Sequence, residues 1–249
     1  MENEEYIPRL ILDDFRNVEL GDKADLIFVD PPFGIDFKGN LGSYARHPDS
    51  LSYSEPEDYE SFIGDLIYWC YKSSKDNSNL WVVSGWNNLE IILSYLRITG
   101  YHLLNHCIWY RTFGVYTKKK LVTSHYHLLL ATKKKRDYTF NPYTKYMEDV
   151  WLDIKREYHP KTRTAGNELP EDLVKRCIQI SSNENDLVVD PCVGSGTSLV
   201  SCLKTNRRFI GIEINPDLKQ RILEKCLPNL KEGQSLNIDG TTFNYGDNF

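Results

Sequence analysis

Two short apolar runs, each ending in an aspartate and a proline, restrict the fold of this chain more than any other feature. They are "LIFVDPPF", residues 26 to 33, and "LVVDPCVGSGT", residues 187 to 197. An apolar run without alternation is typical of a strand buried on both faces, as in the centre of a parallel sheet. Proline lacks a backbone N–H and fixes φ, so each strand must end at its aspartate. We therefore expect two central strands, each with a carboxylate at its end.

Predicted strands and helices alternate along most of the chain, which indicates an α/β fold with a largely parallel sheet. The exception is the pair of strands "HLLNHCIWYRT" and "SHYHLLLATK", whose closeness in sequence predicts an antiparallel addition at the sheet edge. Gly100 is expected to end the helix "NNLEIILSYLRIT". The 249 residues contain no long polar gap, so one domain, 1–249, is expected.

Composition argues against several classes of protein. No apolar run approaches the ~20 residues that span a bilayer. The acidic start "MENEEYIPRL" differs from a secretory signal, so a cytoplasmic protein without a membrane partner is expected. The six cysteines form no CxxC pair and lie in apolar segments, which predicts buried reduced thiols and no zinc site. His125 and His127 have no third ligand nearby, so core or edge positions, and no metal, are expected.

The distribution of charge favours an anionic polymer as partner. Net charge is −5, but between Lys118 and Arg163 twelve Lys and Arg residues face five acids, a local charge of +7. A basic stretch on an otherwise acidic chain is typical of a nucleic-acid binding face. The residues predicted to bind DNA are Lys118, Lys119, Lys120, Lys134, Lys135 and Arg136.

The second apolar run continues into a glycine-rich turn that precedes a predicted helix. Gly194 and Gly196 lie in this turn, and Glu213 ends the next predicted strand, 19 residues after Gly194. Glycines let the backbone approach a cofactor closely, and an acid about 20 residues later can accept hydrogen bonds from ribose hydroxyls. The turn has no third phosphate-cradling glycine and the chain has no GxxxxGK[ST] motif, so a nucleoside without phosphate, such as S-adenosylmethionine, fits better than ATP or NAD.

Together the two motifs resemble those of the DNA amino-methyltransferases that use S-adenosylmethionine. "DPPF" at 30–33 is similar to the family's catalytic [DNS]PP[YF] motif, and "DPCVGSGT" at 190–197 to its cofactor motif DPFxGSGT. The catalytic motif comes first, which is the circularly permuted order of the β class. This resemblance covers roughly residues 9 to 224. It implies one doubly wound, mostly parallel, seven-stranded Rossmann-like sheet, with a short target-recognition segment at about 134–168.

The resemblance also implies a function. It is site-specific methyl transfer to the exocyclic N6 of an adenine flipped out of double-stranded DNA, as in restriction-modification systems. The Asp30 carboxylate and the Pro31 carbonyl would accept the two amino hydrogens, and Phe33 would stack on the base. The implied catalytic residues are Asp30, Pro31, Pro32 and Phe33. The implied cofactor-binding residues are Asp14 (or Asp13), Asp30, Asp190, Pro191, Cys192, Gly194, Ser195, Gly196, Thr197 and Glu213.

Alternatives remain open at this point. Cytosine N4 methylation uses the same scaffold, commonly with serine in place of Asp30; RNA methylation is disfavoured by the motif order, and a catalytically inactive DNA-binding subunit by the intact DPPF. The family's usual phenylalanine is replaced by Cys192, and residues 167–170, "NELP", stand where a TQKP-like segment is common. Pro191-Cys192 resembles the nucleophile of cytosine C5 methyltransferases, but its place in the glycine turn favours a packing role. The short recognition segment is compatible with a homodimer or a partner subunit.

Overall fold

A computed structural model describes residues 6–35, 56–111, 118–155 and 168–247. Within them one sheet is flanked by helices. Its strands are β1 (Arg9–Ile11), β2 (Ala24–Val29), β3 (Ser74–Ser84), β4 (His102–Tyr110), β5 (His125–Thr132), β6 (Val150–Trp151), β7 (Leu187–Asp190), β8 (Arg208–Ile212), β9 (Ser235–Ile238) and β10 (Thr241–Asn244). The helices are α1 (Tyr59–Ser73), α2 (Leu89–Thr99), α3 (Glu171–Ser181), α4 (Thr197–Lys204) and α5 (Lys219–Cys226).

The strand order in the sheet is β10-β9-β1-β8-β7-β2-β3-β5-β4-β6. Strands β9, β1, β8, β7, β2 and β3 run parallel, and β5 is antiparallel to both of its neighbours, so the expected α/β fold with an antiparallel addition is confirmed. The expected seven strands are present as the run from β1 to β4. Within the described residues three further strands extend this sheet to ten: β6 pairs with the end of β4, and the hairpin β9–β10 pairs with β1.

The topology brings the two sequence motifs together. Strand β2 pairs with β7 in the register Leu26↔Val188, so Asp30 and Asp190, 160 residues apart in the chain, end adjacent parallel strands. The carboxyl ends of parallel strands lie at one edge of a sheet, where ligands of doubly wound folds bind. We call this the carboxyl edge: the loops that follow β1, β2, β3, β7 and β8.

Two hydrophobic clusters cover the two faces of the sheet. Leu26 and Phe28 belong to the cluster that includes α3, α4 and α5, and Ile27 and Val29 belong to the cluster that includes α1 and α2. Adjacent residues of β2 thus enter opposite clusters, which confirms a strand buried on both faces. Helix α2 ends as expected, because Gly100 follows it with φ of 96°. In the described ranges, no helix has the length and apolar character to cross a bilayer.

The first part of the predicted recognition segment is packed against the core. Strand β6 extends the sheet beside β4, and Trp151 is 4% exposed in the first hydrophobic cluster. Asn141 donates hydrogen bonds to the carbonyls of Gln179 and Ser182 at the end of α3. Asn141, Trp151 and Ile154 thus attach this segment to the sheet and to α3, while most residues from 142 to 150 are exposed. Residues 156–167 of the same segment lie outside the described residues.

Candidate active site

Asp30 follows β2 directly and lies at the carboxyl edge, partly exposed. Its carboxylate makes no hydrogen bond with any residue that the structure describes. Burial, with the nearby Asp190 carboxylate as a smaller contribution, raises the pKa of Asp30 to about 8. A carboxyl group with a strongly raised pKa at the end of a central strand is typical of a functional site.

The loop after Asp30 is held by a neighbouring element. Asn88, the residue before α2, donates from Nδ2 to the carbonyl oxygens of Phe33 at 2.7 Å and Gly34 at 3.3 Å. The Phe33 ring packs edge-on against Tyr126, with ring centroids 5.2 Å apart. A Cβ placed on Gly85 would lie 3.3 Å from the Phe33 ring, so a glycine gives the ring its room. The acid and the aromatic ring are thus fixed relative to each other.

Asp190 holds the glycine loop through hydrogen bonds to its side chain. It is 2% exposed and accepts hydrogen bonds from the Cys192 backbone N–H at 2.9 Å and the Ser198 hydroxyl at 2.5 Å. Burial raises the pKa of Asp190 to about 7, although these two hydrogen bonds oppose the shift. Both oxygens therefore bind the loop and α4. Asp190 thus fixes the conformation of the loop, and its carboxylate is almost entirely shielded from solvent.

Gly194 and Gly196 both have left-handed backbone conformations, with φ of 57° and 87°. A Cβ on Gly194 would meet no atom within 4 Å, so the loop presents an open face there. On Gly196 it would lie 3.1 Å from the Cys226 sulfur, which shows why α5 packs closely only against glycine. The predicted conformational role of both glycines fits this geometry.

Glu213 ends β8 beside the open face of the loop. Its Oε2 accepts from the Gly194 N–H at 2.8 Å and its Oε1 from the Asn215 N–H at 2.9 Å. Burial raises the pKa of this carboxyl group, against the effect of hydrogen bonds from the backbone of Asn215, Gly194 and Ile214. A carboxylate has about four lone-pair positions, so Glu213 retains capacity for a further donor beside these backbone groups. The geometry is compatible with a ribose hydroxyl.

The predicted cofactor acid at the end of β1 is already paired. Asp14 accepts hydrogen bonds from the Arg16 guanidinium, the closest at 2.6 Å, and the side-chain bond to Arg16 lowers the pKa of Asp14. Asp13, the alternative, accepts from the Asp14 N–H and from Asn17. Arg16 also lines a cavity of about 320 Å³ beside Phe62. The structure therefore places Asp14 at the carboxyl edge but occupies its carboxylate with arginine.

Cys192 packs against the second hydrophobic cluster, the one that includes α1 and α2. Burial, reinforced by the Asp190 and Glu213 carboxylates, raises the pKa of its thiol well above the usual value. A protonated, buried thiol is a poor nucleophile. Packing, as expected from the sequence, describes this residue better than catalysis.

We expect Cys192→Ser to keep the rate of the methyl transfer that the sequence resemblance implies within about threefold of wild type, because a thiol that stays protonated contributes no nucleophile. The measurement is the initial rate of label transfer to DNA at saturating cofactor. Cys202→Ser, which changes a fully buried cysteine inside α4, is the control for the effect of replacing a packed thiol. A loss of several hundredfold confined to Cys192→Ser would instead indicate covalent catalysis.

A polar cluster not predicted from the sequence lies on the other side of the glycine loop. Lys225 donates to Thr197 Oγ1 at 2.6 Å, to Glu168 Oε2 at 3.0 Å and to Ser195 Oγ at 3.2 Å. Arg221 forms a second ion pair with Glu168. Nothing in the sequence of α5 distinguishes Lys225 from an ordinary surface lysine. The departure of the "NELP" segment, which supplies Glu168, from the family pattern was the one sequence feature that pointed to this cluster.

The two predicted basic runs lie at opposite edges of the sheet. Residues 118–120 precede β5, whose first residues pair with the end of β3 at the carboxyl edge. Residues 134–136 follow β5, which is 8 residues long and antiparallel, so they lie about 25 Å away at the other edge. Lys133 donates to the carbonyl of Ser74, the first residue of β3, at 2.5 Å, which fixes that end. The two basic runs therefore flank opposite ends of β5.

The histidines on β4 and β5 contact one another. His106 Nε2 and His127 Nδ1 are 2.7 Å apart, and the ring of His125 packs on that of His127. Burial and the two neighbouring rings lower the pKa of His127 to about 4, so this imidazole is neutral at pH 7. Among the described side chains, no group of three or more His, Cys, Asp or Glu is arranged to hold a metal ion.

Sequence comparison gives relatives over most of the chain. A DNA methylase family profile of the N6/N4 type matches residues 24–225. The type II methyltransferase M.HpaI of Haemophilus parainfluenzae is 30% identical over 220 residues, which are 81% of this chain and 67% of that protein. The DNA adenine methyltransferase YhdJ of Escherichia coli K12 is 28% identical over 232 residues, 79% of this chain and 74% of that protein.

Solved structures share the fold. The complex of M1.HpyAVI with SAM has a TM-score of 0.66 at 20% identity, covering 87% of this chain and 98% of that one. The PvuII DNA methyltransferase, which is cytosine-N4-specific, has a TM-score of 0.68 at 14% identity, covering 88% and 85%. At these identities the likeness concerns the arrangement of strands and helices.

Proposed function

This chain belongs to the N6/N4 DNA methylase family, and we propose that it methylates the exocyclic N6 of adenine in double-stranded DNA, with S-adenosylmethionine as methyl donor. The observation that carries the proposal is the Asp30 carboxyl group, which has no hydrogen bond to any described residue and lies at the carboxyl edge three residues before Phe33, whose ring is packed. An exocyclic amine is a poor nucleophile because its lone pair is delocalised into the ring. Acceptors aimed at its two hydrogens favour the pyramidal nitrogen that can attack.

Asp30 and Pro31 supply these acceptors. The Asp30 carboxylate accepts one amino hydrogen, and the Pro31 carbonyl, which follows it in the chain, accepts the other. A nitrogen that gains a methyl group must then lose a proton. With a pKa of about 8 in the free protein, the ionised Asp30 carboxylate is basic enough to receive that proton, and its ionised fraction increases as the pH rises toward 8.

Phe33 holds the base. A target amine inside a duplex cannot reach a donor bound at the glycine loop, so the adenine must be flipped out. Stacking on an aromatic ring contributes about 1 to 3 kcal/mol per base. Because Asn88 binds the carbonyl of Phe33 and Tyr126 packs on its ring, the ring needs no rearrangement to receive the base.

The residues of the glycine loop fit S-adenosylmethionine. When bound, this cofactor supplies an electrophilic methyl group. Gly194 presents an open backbone face, and Glu213 retains acceptor capacity for a ribose hydroxyl beside it. Asp190 fixes the loop between them. Asp14, paired with Arg16, contributes to an adenine contact only if that ion pair opens or shares its carboxylate.

Adenine is favoured over cytosine by two observations. The residue before the two prolines is an aspartate, whereas cytosine-N4 enzymes of this scaffold commonly have serine there. The relative YhdJ is a DNA adenine methyltransferase at 28% identity. Cytosine N4 is the second candidate, since the cytosine-N4-specific PvuII enzyme has the same fold.

Transfer of a labelled methyl group from S-adenosylmethionine to mixed-sequence duplex DNA tests the enzyme activity. We expect label in DNA with the wild-type protein and none with heat-denatured protein. Absence of transfer by folded protein that binds the cofactor would contradict the proposal and favour a non-catalytic DNA-binding subunit. Repeating the assay with a folded RNA in place of the duplex tests the alternative that the substrate is RNA.

The basic run at the carboxyl edge is expected to contact DNA phosphates. Replacing Lys118, Lys119 and Lys120 together with glutamine should weaken DNA binding and lower the slope of log K against log salt by up to about 2.7, since each phosphate contact contributes about 0.9. The measurement is fluorescence anisotropy over a salt series. The matched control replaces residues 134–136 with glutamine at the opposite edge, which should leave the slope unchanged. Equal effects of both triple variants would contradict this placement.

A further inference from the structure

Trp86 is a large aromatic side chain that the fold leaves exposed at the carboxyl edge. It lies two residues after the end of β3 and is 53% exposed. We propose that Trp86 stacks on a DNA base beside the flipped adenine, namely a base that loses its stacking neighbour when the adenine leaves the duplex. This inference rests on the proposed function, because only a flipped target creates such a gap.

The exposure of Trp86 sets it apart from the other tryptophans of this chain. All five tryptophans lie in the described ranges, and Trp81, Trp109 and Trp151 are buried in the first hydrophobic cluster. Trp69 is half-buried, and its indole N–H donates to a backbone carbonyl at 2.9 Å. Proteins bind unstacked bases on the faces of such aromatic rings. Trp86 is therefore the tryptophan whose ring is accessible to a base.

Trp86 lies close to the place where the target base is proposed to bind. A Cβ on the preceding residue, Gly85, would lie 3.3 Å from the Phe33 ring. Asn88, two residues after Trp86, donates to the carbonyls of Phe33 and Gly34. The backbone on both sides of Trp86 is thus held against the loop that carries Phe33. If Phe33 stacks on the flipped base, the duplex that this base has left lies within reach of Trp86.

The charges around Trp86 favour DNA on this half of the carboxyl edge. The described residues after β3, after β4 and before β5 are 85–88, 111 and 118–124, and they include no acid and four cations: Arg111, Lys118, Lys119 and Lys120. Residues 12–18 after β1 and 213–218 after β8 include one cation, Arg16, and four acids: Asp13, Asp14, Glu213 and Asp217. A polyanion is attracted to the first half and repelled by the second. Trp86 therefore lies on the half that the DNA backbone approaches.

Stacking explains how an uncharged side chain assists base flipping. Extruding a base costs its stacking and pairing energy. Apolar side chains placed at the disturbed base step offset part of this cost. Because every base has a π-face, such a contact adds affinity without reading the sequence. It also neutralises no phosphate, so it leaves the salt dependence of binding unchanged.

The experiment compares two duplexes of the same mixed sequence, one intact and one with a single abasic site. The bases that flank an abasic site are already unstacked, so Trp86 can stack on them without the cost of flipping. Dissociation constants are measured by fluorescence anisotropy of labelled DNA. We expect wild type to bind the abasic duplex at least about fivefold more tightly than the intact one, and Trp86→Ala to lose this preference.

Two further variants serve as controls for the binding experiment. Trp86→Phe keeps an aromatic face and should retain most of the preference for the abasic duplex. Tyr245→Ala changes a side chain that is 54% exposed and follows β10 at the opposite edge of the sheet, so it should alter neither dissociation constant. Over a salt series, Trp86→Ala should keep the wild-type slope of log K against log salt.

Tryptophan fluorescence gives a readout that a purely structural role would not change. Stacking of a base on Trp86 should quench the emission of wild-type protein when the abasic duplex binds. Trp86→Phe should lose this quenching while it still binds the duplex, because the remaining tryptophans are buried or half-buried.

The inference and the proposed function fail in different ways. An unchanged preference for the abasic duplex in Trp86→Ala, or binding by wild type without quenching, would overturn the inference. A lower salt slope in Trp86→Ala would also overturn it, since it indicates a role in phosphate contacts. Methyl transfer by a wild type that shows neither signal would overturn the inference alone. Both signals without methyl transfer to duplex DNA would overturn the proposed function alone.

Discussion

Asp30→Asn is expected to lower the rate of methyl transfer by about a hundredfold to a thousandfold, the typical cost of removing one preorganised group that stabilises a transition state. The substitution keeps the size of the side chain but loses the negative charge and the site that receives a proton. The measurement is the single-turnover rate with saturating DNA and cofactor. Asp22→Asn, at an exposed aspartate before β2, is the matched control and should retain full activity.

The raised pKa of Asp30 predicts two further results, one for the pH dependence of wild-type activity and one for the thermal stability of the variant. Protonated Asp30 cannot accept a proton, so kcat/KM of the wild type should fall as pH drops below about 8, the pKa in the free protein. Ionisation of a group whose pKa is raised on folding costs stability, and this cost grows from about pH 4 to about pH 8. Asp30→Asn should therefore raise the melting temperature by several degrees at pH 8 and less at pH 5. A variant that is active, or less stable than wild type at pH 8, would contradict this role.

Glu213→Gln is expected to have the second largest effect, on both the glycine loop and cofactor binding. Each carboxylate oxygen of Glu213 accepts one backbone N–H, from Gly194 or from Asn215. An amide group places an NH₂ against one of these donors, and a buried unpaired donor costs about 1 to 3 kcal/mol. We expect a loss of unfolding free energy of this size, measured by urea titration, and cofactor binding at least about tenfold weaker.

The control for Glu213→Gln is Glu224→Gln, at an exposed glutamate on α5 whose carboxylate accepts from Gln220. It should change stability by less than about 0.5 kcal/mol and leave cofactor binding unchanged. If Glu213→Gln kept normal stability but lost the cofactor, Glu213 would serve the ligand alone. If it lost stability while cofactor affinity stayed normal, the proposed contact with ribose would be wrong.

The strong hydrophobic patterns of the sequence predicted the centre of the fold. Leu26 to Val29 form a strand whose residues alternate between two hydrophobic clusters, as an unbroken apolar run requires. The edges of the sheet were less predictable. Strand β6 has two residues, and β9 and β10 have four each, so their pairing depends on neighbours far away in the chain instead of on local pattern.

The sequence predicted the position of those site residues that directly follow a strongly apolar strand. Asp30 and Glu213 lie at the carboxyl edge because their strands end there. The free state of a side chain, however, depends on partners from other elements. Arg16 forms an ion pair with Asp14, and the Ser198 hydroxyl donates a hydrogen bond to Asp190. Neither pairing has a sequence signature. The direction of β5 also separates residues 118–120 from 134–136, which only the topology reveals.

The measurement that decides most directly is the identity of the methylated nucleoside. DNA methylated by the wild-type protein with labelled S-adenosylmethionine is digested to nucleosides and separated by chromatography, with the Asp30→Asn protein treated in parallel. We predict that the label elutes as N6-methyldeoxyadenosine. With the variant, the amount of this labelled nucleoside should be at least about a hundredfold lower. Label in N4-methylcytosine, or equal labelling by the variant, would contradict adenine methylation through Asp30.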